Sequence, residues 1–446
     1  MFARSFCSTP EAAESFPSRP APSGLLLRAR RDDSPGSPRS ATQAPLRPHD
    51  AYGSLAPASR LRCVRTMHGW LPRSATQAPL RPHDARLAPS LRHPGSAASA
   101  RFFRRIFATN RPLTRKARSL EVVSLIDDVG IAPLIGDLAR VEDRLQESVQ
   151  ADDRFLGEVA GHLLTAGGKR LRPTLALCAG YAARGTEPSS PDTVTGAAAV
   201  ELVHLGSLYH DDVIDEAETR RGVPSVNARW SNIVAILAGD YLLAQASSLA
   251  ASLGADVAAL LAATIGELCR GQVLELQHLF DVERSEESYL SSIAGKTASL
   301  MATACRVGGM VSDVSADTLD ALTQFGHHLG MCFQVVDDVL DVTRTEAELG
   351  KPAGNDVHEG VYTLPVIYAL GESSELRALL GRKLEWDQVA QAVALIATPE
   401  LVDASMAVAR THATKASEVL AGATGLDPDV CERLRRLVDG LVQRSS

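Results

Sequence analysis

Two clusters of three aspartates stand out by their spacing. Asp211, Asp212 and Asp215 form the first, and Asp337, Asp338 and Asp341 form the second, 126 residues later. Each follows an apolar run typical of a buried helix, and at about 100° per residue its three carboxylates project from one side. Buried carboxylates need positive charge to offset repulsion and desolvation, and oxygen ligands without a nearby Cys or His cluster favour magnesium. One such triplet could be a solvated acidic helix end, but the repeated arrangement predicts that the two clusters bind magnesium.

Cationic side chains accompany the acidic clusters. Arg220 and Arg221 directly follow the first cluster, and paired arginines beside carboxylate-held magnesium are typical of a diphosphate site. The segment Gly167–Pro173 reads Gly-Gly-Lys-Arg-Leu-Arg-Pro and joins two predicted helices. Its glycines permit close approach to an anion, and Lys169, Arg170 and Arg172 supply charge. Alone it would be an ordinary basic loop, but beside two acidic clusters it predicts a second diphosphate pocket.

Further polar side chains have both a functional and an ordinary interpretation. His204 lies seven residues before Asp211, close to the same helix face, although a lone histidine on an apolar helix is more often a core residue. Lys296 and Thr297 interrupt an apolar helix, where a lysine must snorkel or find an anion. Gln334 precedes the second cluster on the same side. Lys351 lies in a polar segment, 344–362, which we expect to be a mobile loop. Either this lysine closes over a bound diphosphate, or it is an ordinary solvated loop lysine.

The chain divides by composition near residue 118. Of 46 Lys+Arg and 53 Asp+Glu in total, residues 1–118 hold 21 and 6, a net charge of +15, which leaves 119–446 at −22. The first part is rich in Pro, Arg, Ser and Ala, so it cannot bury enough apolar surface to offset chain entropy and is predicted to be disordered. Residues 38–51 recur letter for letter at 72–85. A basic tail, an organelle transit sequence and translated upstream DNA remain open, whereas sparse aromatic residues argue against nucleic-acid binding.

From about residue 121 the apolar pattern is helical, which predicts a single all-α domain over 119–446 whose central helices enclose a cavity with the aspartates at its mouth. No run of 18 apolar residues occurs, so we predict no transmembrane helix. The seven cysteines are scattered without a Cys-x-x-Cys pair, which suits reduced thiols and a cytoplasmic location.

Taken together, these motifs resemble those of the trans-isoprenyl diphosphate synthases, or polyprenyl synthetases. In chain order they read Gly-Gly-Lys-Arg-Leu-Arg-Pro, His-Asp-Asp-Val-Ile-Asp with Arg-Arg-Gly, Gly-Lys-Thr, and Phe-Gln-Val-Val-Asp-Asp-Val-Leu-Asp. The resemblance covers about residues 121–444. It implies the prenyltransferase helical fold, usually a homodimer, with about three magnesium ions per active site bound by the six aspartates.

The resemblance also implies roles for the other side chains. Lys169, Arg172, His204 and Arg221 match the residues that hold isopentenyl diphosphate. Arg220, Lys296, Thr297, Gln334 and Lys351 match direct contacts to the allylic diphosphate. One position departs from the family, because Val361 stands where a lysine commonly precedes Thr-Leu-Pro, so one diphosphate contact is missing.

The implied reaction is the magnesium-dependent head-to-tail condensation of isopentenyl diphosphate with an allylic diphosphate. A class I terpene cyclase usually has an Asn/Ser/Glu-type second metal motif, and the all-aspartate second cluster here favours chain elongation. A non-catalytic partner subunit is the third alternative; the intact clusters argue against it and Val361 argues faintly for it.

Product length is predicted from the residues before the first cluster. Gly206 and Ser207, one turn before Asp211, are small, and Val203 is moderate in size. Short-chain members of the family often have an aromatic residue there as a floor. Without one, we expect an apolar channel that admits roughly six to ten isoprene units, a length used for quinone side chains and handed to membrane enzymes. A short-chain farnesyl or geranylgeranyl diphosphate synthase is the alternative.

Overall fold

This computed structural model describes residues 129–344 and 353–443, and most of these residues lie in helices. The helices of the first half are α1 (Leu134–Ser148), α2 (Arg154–Ala160), α3 (His162–Thr165), α4 (Leu171–Arg184), α5 (Pro191–Ile214), α6 (Val226–Arg229), α7 (Asn232–Ser252) and α8 (Ala255–Gln277). A short antiparallel hairpin, β1 (Thr219–Arg220) and β2 (Val223–Pro224), connects α5 to α6. The predicted all-α class is confirmed.

The second half continues the bundle. Its helices are α9 (Glu286–Ile293), a π-helix (Ala294–Ala298), α10 (Ser299–Met310), α11 (Ala316–Thr343), α12 (Asn355–Glu359), α13 (Leu364–Glu372), α14 (Ser374–Leu379), α15 (Trp386–Ile396), α16 (Pro399–Gly422) and α17 (Pro428–Gln443). The described residues lie within one compact unit. A large apolar core occupies the bundle, and a smaller second core lies among α12 to α15.

Helix α5 is the central helix and packs against α1, α4, α7 and α10. The Ser190 hydroxyl caps the helix by accepting a 3.1 Å hydrogen bond from the Thr193 amide, and Pro191 is the first helical residue. The helix is apolar nearly all round and ends at Ile214. Glu216 has φ 50°, in the left-handed region, so the helix cannot continue through it.

Glycines allow α5 and α7 to approach closely. A Cβ on Gly206 would lie 3.1 Å from the Gly239 carbonyl oxygen and 3.1 Å from Leu243 Cγ. A Cβ on Gly239 would lie 2.4 Å from His210 Nε2, so this glycine leaves space for the imidazole next to the first aspartate cluster. Gly206 therefore faces α7.

A π-helix lies between α9 and α10 and contains Lys296 and Thr297, in a stretch that the sequence predicts as an apolar helix. Gly271 on α8 contacts the backbone here, since a Cβ on it would lie 2.4 Å from the Lys296 amide nitrogen. The wider π turn presents Lys296 and Thr297 beside α8 and α11. Single π turns of this kind are frequent at functional sites.

Two helices, α7 and α8, are long and apolar enough to cross a membrane by length and composition alone, with mean hydropathy of 1.5 and 1.4. A third candidate is the bent pair of α15 and α16. The prediction of no transmembrane helix used unbroken apolar runs, which Asp240 and Glu267 interrupt while the average stays high. In the structure α7 packs along α5, and α8 packs against α10 and the π-helix, so both belong to the bundle.

Candidate active site

The first aspartate cluster lies at the carboxyl end of α5, where the helix dipole is unfavourable to carboxylates. Asp212 is fully buried, and its Oδ1 accepts a 2.6 Å hydrogen bond from Arg220 Nε. Its Oδ2 is buried and has no hydrogen-bond partner. Asp215 is 46% exposed, and its Oδ2 lies 3.9 Å from Arg220 Nη2. The hairpin arginine therefore holds this cluster while one buried oxygen remains for a cation.

The second cluster lies at the carboxyl end of α11. Both oxygens of Asp338 are engaged, since Oδ2 accepts from Tyr289 Oη at 2.6 Å and Oδ1 accepts from Gln334 Nε2 at 2.8 Å. Thr297 Oγ1 donates to Gln334 Oε1 at 2.7 Å. Asp338 is therefore a fixed support within its cluster, whereas Asp337 is exposed at the surface of α11.

The third member of this cluster fixes the next part of the chain. Asp341 Oδ2 accepts a 3.1 Å hydrogen bond from the Asp356 amide, and its carbonyl accepts one of 2.8 Å from Gly354. The start of α12 is thus attached to the second cluster.

Lys296 and Glu275 join the two clusters. Lys296 Nζ lies 2.6 Å from Glu275 Oε1, and the lysine charge acts on both Asp211 and Asp215. The Glu275 charge acts on the same two aspartates and on Asp338. The acidic ends of α5 and α11 therefore share one electrostatic environment.

Burial raises the pKa values of the aspartates because it disfavours the charged form. It raises the pKa of Asp211, and it raises that of Asp215 to about 6 against the opposing charge of Lys296. It raises the pKa of Asp338 to about 7, although the hydrogen bonds from Tyr289 and Gln334 act to lower it. Arg220 and Lys296 therefore offset the burial of these carboxylates only in part, which is a condition that divalent cations relieve.

The donor set fits magnesium in a particular way. Within 129–344 and 353–443, no three acidic, histidine or cysteine side chains are arranged to hold an ion by themselves. Magnesium usually takes one or two carboxylates and completes its octahedron with waters and phosphate oxygens of a substrate. The exposed carboxylates of Asp215 and Asp337 and the unpaired oxygen of Asp212 suit ions that also bind a diphosphate.

A cationic pocket lies beside the first cluster. The Arg221 guanidinium donates to the Leu163 carbonyl at 3.1 Å and to that of Gly167, and a Cβ on Gly168 would lie 2.9 Å from it. Arg172 Nε is buried without a hydrogen-bond partner, and burial lowers the pKa of this arginine despite the charge of Glu201. The Gly-Gly loop thus brings two under-neutralised arginines together, as expected of an anion site.

His204 belongs to this pocket. Burial lowers its pKa well below the ordinary value, and the charges of Arg172 and Arg221 lower it further. The imidazole is therefore neutral and can donate a hydrogen bond to an anion without adding charge. Its position favours the functional interpretation over that of an isolated core histidine.

The other two basic residues of the loop differ in role. Lys169 is exposed at its tip. Arg170 instead turns inward and forms 3.0 Å salt bridges with Glu142 and with Glu201, which is 1% exposed. Arg170 has φ 47° and precedes α4. It is a structural residue that fixes the loop, so the charge assigned to it in the sequence does not serve an external anion.

Three polar residues near the second cluster were not identified from the sequence: Glu275, Arg284 and Tyr289. Glu275 could have been noticed in the sequence, because it is a glutamate on the apolar helix α8, four residues after Gly271. The other two carry no sequence signal, because their contacts with the cluster arise only from the fold. Lys351 lies outside the described residues.

The positions predicted to set product length lie on α5. Val203 is fully buried, and Ser207 is partly buried with its Oγ donating to the His204 carbonyl at 2.9 Å. Gly206 packs against α7, as described above. Val361 is partly buried, and its amide donates to the Asp356 carbonyl at 2.8 Å, so the residue at the family's lysine position lies near the end of α12.

A helical bundle in which two aspartate-bearing helix ends lie beside a basic pocket defines the class of enzymes that act on prenyl diphosphates. The chain belongs to the polyprenyl synthetase family, whose model matches residues 153–396. It is 41% identical to the nonaprenyl diphosphate synthase of Mycobacterium tuberculosis, over 72% of this chain and 96% of that protein. The family resemblance seen in the motifs is confirmed, and the chain is a prenyltransferase that forms polyprenyl diphosphates.

Solved structures of prenyl diphosphate synthases are similar to this chain. The decaprenyl diphosphate synthase from Rhodobacter capsulatus superposes with a TM-score of 0.66 at 34% identity, over 73% of this chain and 99% of that one. A geranylgeranyl pyrophosphate synthase from Corynebacterium glutamicum, complexed with calcium and isoprenyl diphosphate, gives 0.61 at 38% identity, over 71% and 97%. These structures confirm the helical prenyl synthase fold.

Proposed function

We propose that the chain catalyses the magnesium-dependent, head-to-tail condensation of isopentenyl diphosphate with an allylic diphosphate and makes a long all-trans product. The observation that carries this proposal is the connection of both aspartate clusters through Glu275 and Lys296, directly beside the pocket of Arg172, His204 and Arg221. One acidic and one basic site suit two diphosphates that enter by different means, one with metal and one without. The calcium-bound relative supports the use of a divalent cation.

Different residues act on the two diphosphates during the reaction. Arg220 and Lys296 stabilise the negative charge that develops on the allylic diphosphate as its C–O bond breaks and the electron pair leaves with it. Arg172, Arg221 and His204 hold isopentenyl diphosphate so that its double bond lies against the resulting allylic cation. The aspartates of the two clusters would hold magnesium, which would supply positive charge to the departing diphosphate. The alkene electrons form the new carbon–carbon bond, and loss of a proton restores a double bond; released diphosphate is the proposed base.

A homodimer is part of the proposal. Ile233, Leu237 and Val273 on the outer faces of α7 and α8 are 71%, 59% and 52% exposed, and Ile236 and Leu276 extend the same two helix faces. Exposure of these apolar helix faces to water is unfavourable, so we propose that they pack against a second copy of the chain. Sedimentation of the purified protein tests the proposal; a monomer at micromolar concentration would contradict it.

A quinone side-chain precursor in the cytoplasm is the biological role we propose. The five described cysteines are free and four are buried, which suits a reducing compartment. The small wall residue Ser207 supports a long product over a farnesyl or geranylgeranyl one.

The test is to incubate the purified full-length chain with isopentenyl and farnesyl diphosphates, with magnesium or with a chelator. We expect long polyprenyl alcohols by chromatography after dephosphorylation, and none with the chelator. Cyclised hydrocarbon would indicate a terpene cyclase. Complete inactivity that a second subunit restores would indicate a non-catalytic partner.

A further inference from the structure

Arg284 is a buried cation that the reaction as described does not use. It lies in the connection between α8 and α9 and is only 4% exposed. Its Nη1 donates a 3.0 Å hydrogen bond to the Tyr362 carbonyl, whereas Nε and Nη2 are buried with no hydrogen-bond partner in the described chain. A buried guanidinium with two unsatisfied nitrogens is costly unless other charge compensates it.

The compensation comes through Tyr289. The Arg284 guanidinium lies over the Tyr289 ring, 5.7 Å from its centroid, and the ring is 1% exposed. The hydroxyl of the same tyrosine donates the 2.6 Å hydrogen bond to Asp338 Oδ2. Arg284, Tyr289 and Asp338 therefore form a continuous buried contact from the α8–α9 connection to the second aspartate cluster.

Arg284 also holds the segment 353–363. At its late end the Gly360 carbonyl accepts a 2.8 Å hydrogen bond from the Phe280 amide, and Arg284 binds the Tyr362 carbonyl. At its early end the Gly354 amide donates to the Asp341 carbonyl. The segment is thus attached to the second cluster at one end and to the α8–α9 connection at the other.

The electrostatic surroundings of Arg284 also connect it to the second aspartate cluster. Burial is the main cause that lowers the pKa of Arg284, and the negative charges of Glu275 and Asp338 act against it. The residue keeps its positive charge and lies on the side of the site that contains the second cluster. The basic pocket of Arg172, His204 and Arg221 lies beside the first cluster.

We propose that Arg284 is a positioning residue for the allylic diphosphate half of the site: it fixes Tyr289 against Asp338 and anchors the segment 353–363, so that the second cluster is prearranged for metal-bound diphosphate. The inference rests on the proposed function, because it assigns the two diphosphates to different halves. It predicts that loss of Arg284 weakens one substrate and not the other.

The experiment compares Arg284→Met, Arg284→Lys and a matched control, Arg377→Met. Arg377 Nη1 donates to the Val282 carbonyl and pairs with Glu283, so it holds the same connection from the solvent side without a contact to Tyr289. Steady-state rates are measured with each substrate varied and with magnesium varied. We expect Arg284→Met to raise the allylic KM and the half-saturating magnesium concentration roughly tenfold, the scale of one lost charged hydrogen bond, with the isopentenyl KM unchanged.

Arg284→Lys keeps the positive charge but loses the planar guanidinium group. The KM of this variant for the allylic diphosphate should therefore lie between those of wild type and Arg284→Met. Arg377→Met should match wild type in both KM values. Equal changes in both KM values, a fall in kcat alone, or the same effect in Arg377→Met would overturn the proposal. If Arg284→Met does not fold, the lysine variant decides, and unchanged allylic KM in it refutes the role. Inactivity of the wild-type chain would instead refute the proposed function.

Discussion

Lys296 Nζ lies 2.6 Å from Glu275 Oε1, and this ion pair links the two ends of the acidic site. Burial acts to lower the pKa of Lys296, but the charges of Glu275 and Asp211 raise it above the ordinary value. The lysine therefore stays charged and offsets part of the negative charge of the first cluster. The negative charge that remains on the two clusters is what the proposed magnesium ions would neutralise.

Both clusters should be needed for turnover. We expect Asp211→Ala and Asp337→Ala each to lower kcat/KM by roughly a thousandfold or more, because metal-held charge stabilisation contributes several kcal/mol to the transition state. Asp320→Ala is the control, since that carboxylate is 64% exposed and pairs with Arg306. Near wild-type turnover in either cluster variant would contradict the shared site.

Tyr289→Phe should impair metal use more than folding. The change leaves Asp338 Oδ2 without its donor, and an unsatisfied buried acceptor costs about 1–3 kcal/mol. We expect a higher magnesium requirement and a kcat/KM lower by about tenfold or more. Tyr181→Phe is the matched control, because Tyr181 Oη makes an equivalent 2.6 Å bond to buried Asp137. That control should lose stability but keep the wild-type magnesium dependence, and identical magnesium curves for wild type and Tyr289→Phe would rule out the assignment.

Local sequence patterns indicate where the aspartate clusters lie on their helices, but they do not indicate the contacts around them. The spacing of Asp211 and Asp215 on one helix follows from local periodicity, so it could be read directly. The shared role of Glu275 and the support of Asp338 by Tyr289 depend on how α8, α9 and α11 pack, which no local pattern encodes. Arg170 illustrates the opposite error, because a basic residue in an anion-binding motif turns to the buried Glu201.

Histidines between α11 and α16 should make stability depend on pH. His412 Nδ1 lies 3.1 Å from His328 Nδ1, and burial, followed by the charges of His328, Lys415 and His327, lowers the pKa of His412 to about 4. Because the folded value lies below the ordinary 6.5, protons bind the unfolded chain more readily. Stability is therefore full above about pH 6.5 and declines as pH falls toward 4.

The measurement is the denaturation midpoint at both ends of this window. His412→Gln should show a smaller loss on acidification than wild type, because it removes one group that takes up protons on unfolding. Parallel curves for the two proteins would exclude His412 as a source of the effect.

The basic segment 1–118 should be dispensable. Arg433 Nη1 donates to the Val129 and Gly130 carbonyls at 3.2 and 2.7 Å, which ties the first described residues to α17. A chain that begins at Ser119 keeps this attachment and removes the net charge of +15 carried by residues 1–118. We expect unchanged kcat/KM and melting temperature relative to the full chain. Loss of either would show that the segment has a role in folding or activity.

Product length should be set beside Ser207. At about 100° per residue this side chain lies about 40° from Asp211 on α5, whereas Gly206 is directed at α7, where a Cβ would meet the Gly239 carbonyl. Ser207→Phe should therefore introduce a ring below the first cluster and shorten the product, and Gly206→Ala should lower stability through crowding of two helices. Chromatography of the dephosphorylated products and thermal unfolding separate the two effects. A wild-type product of farnesyl or geranylgeranyl length would refute the open channel. A Ser207→Phe enzyme with products as long as the parent's would show that the growing chain follows another wall.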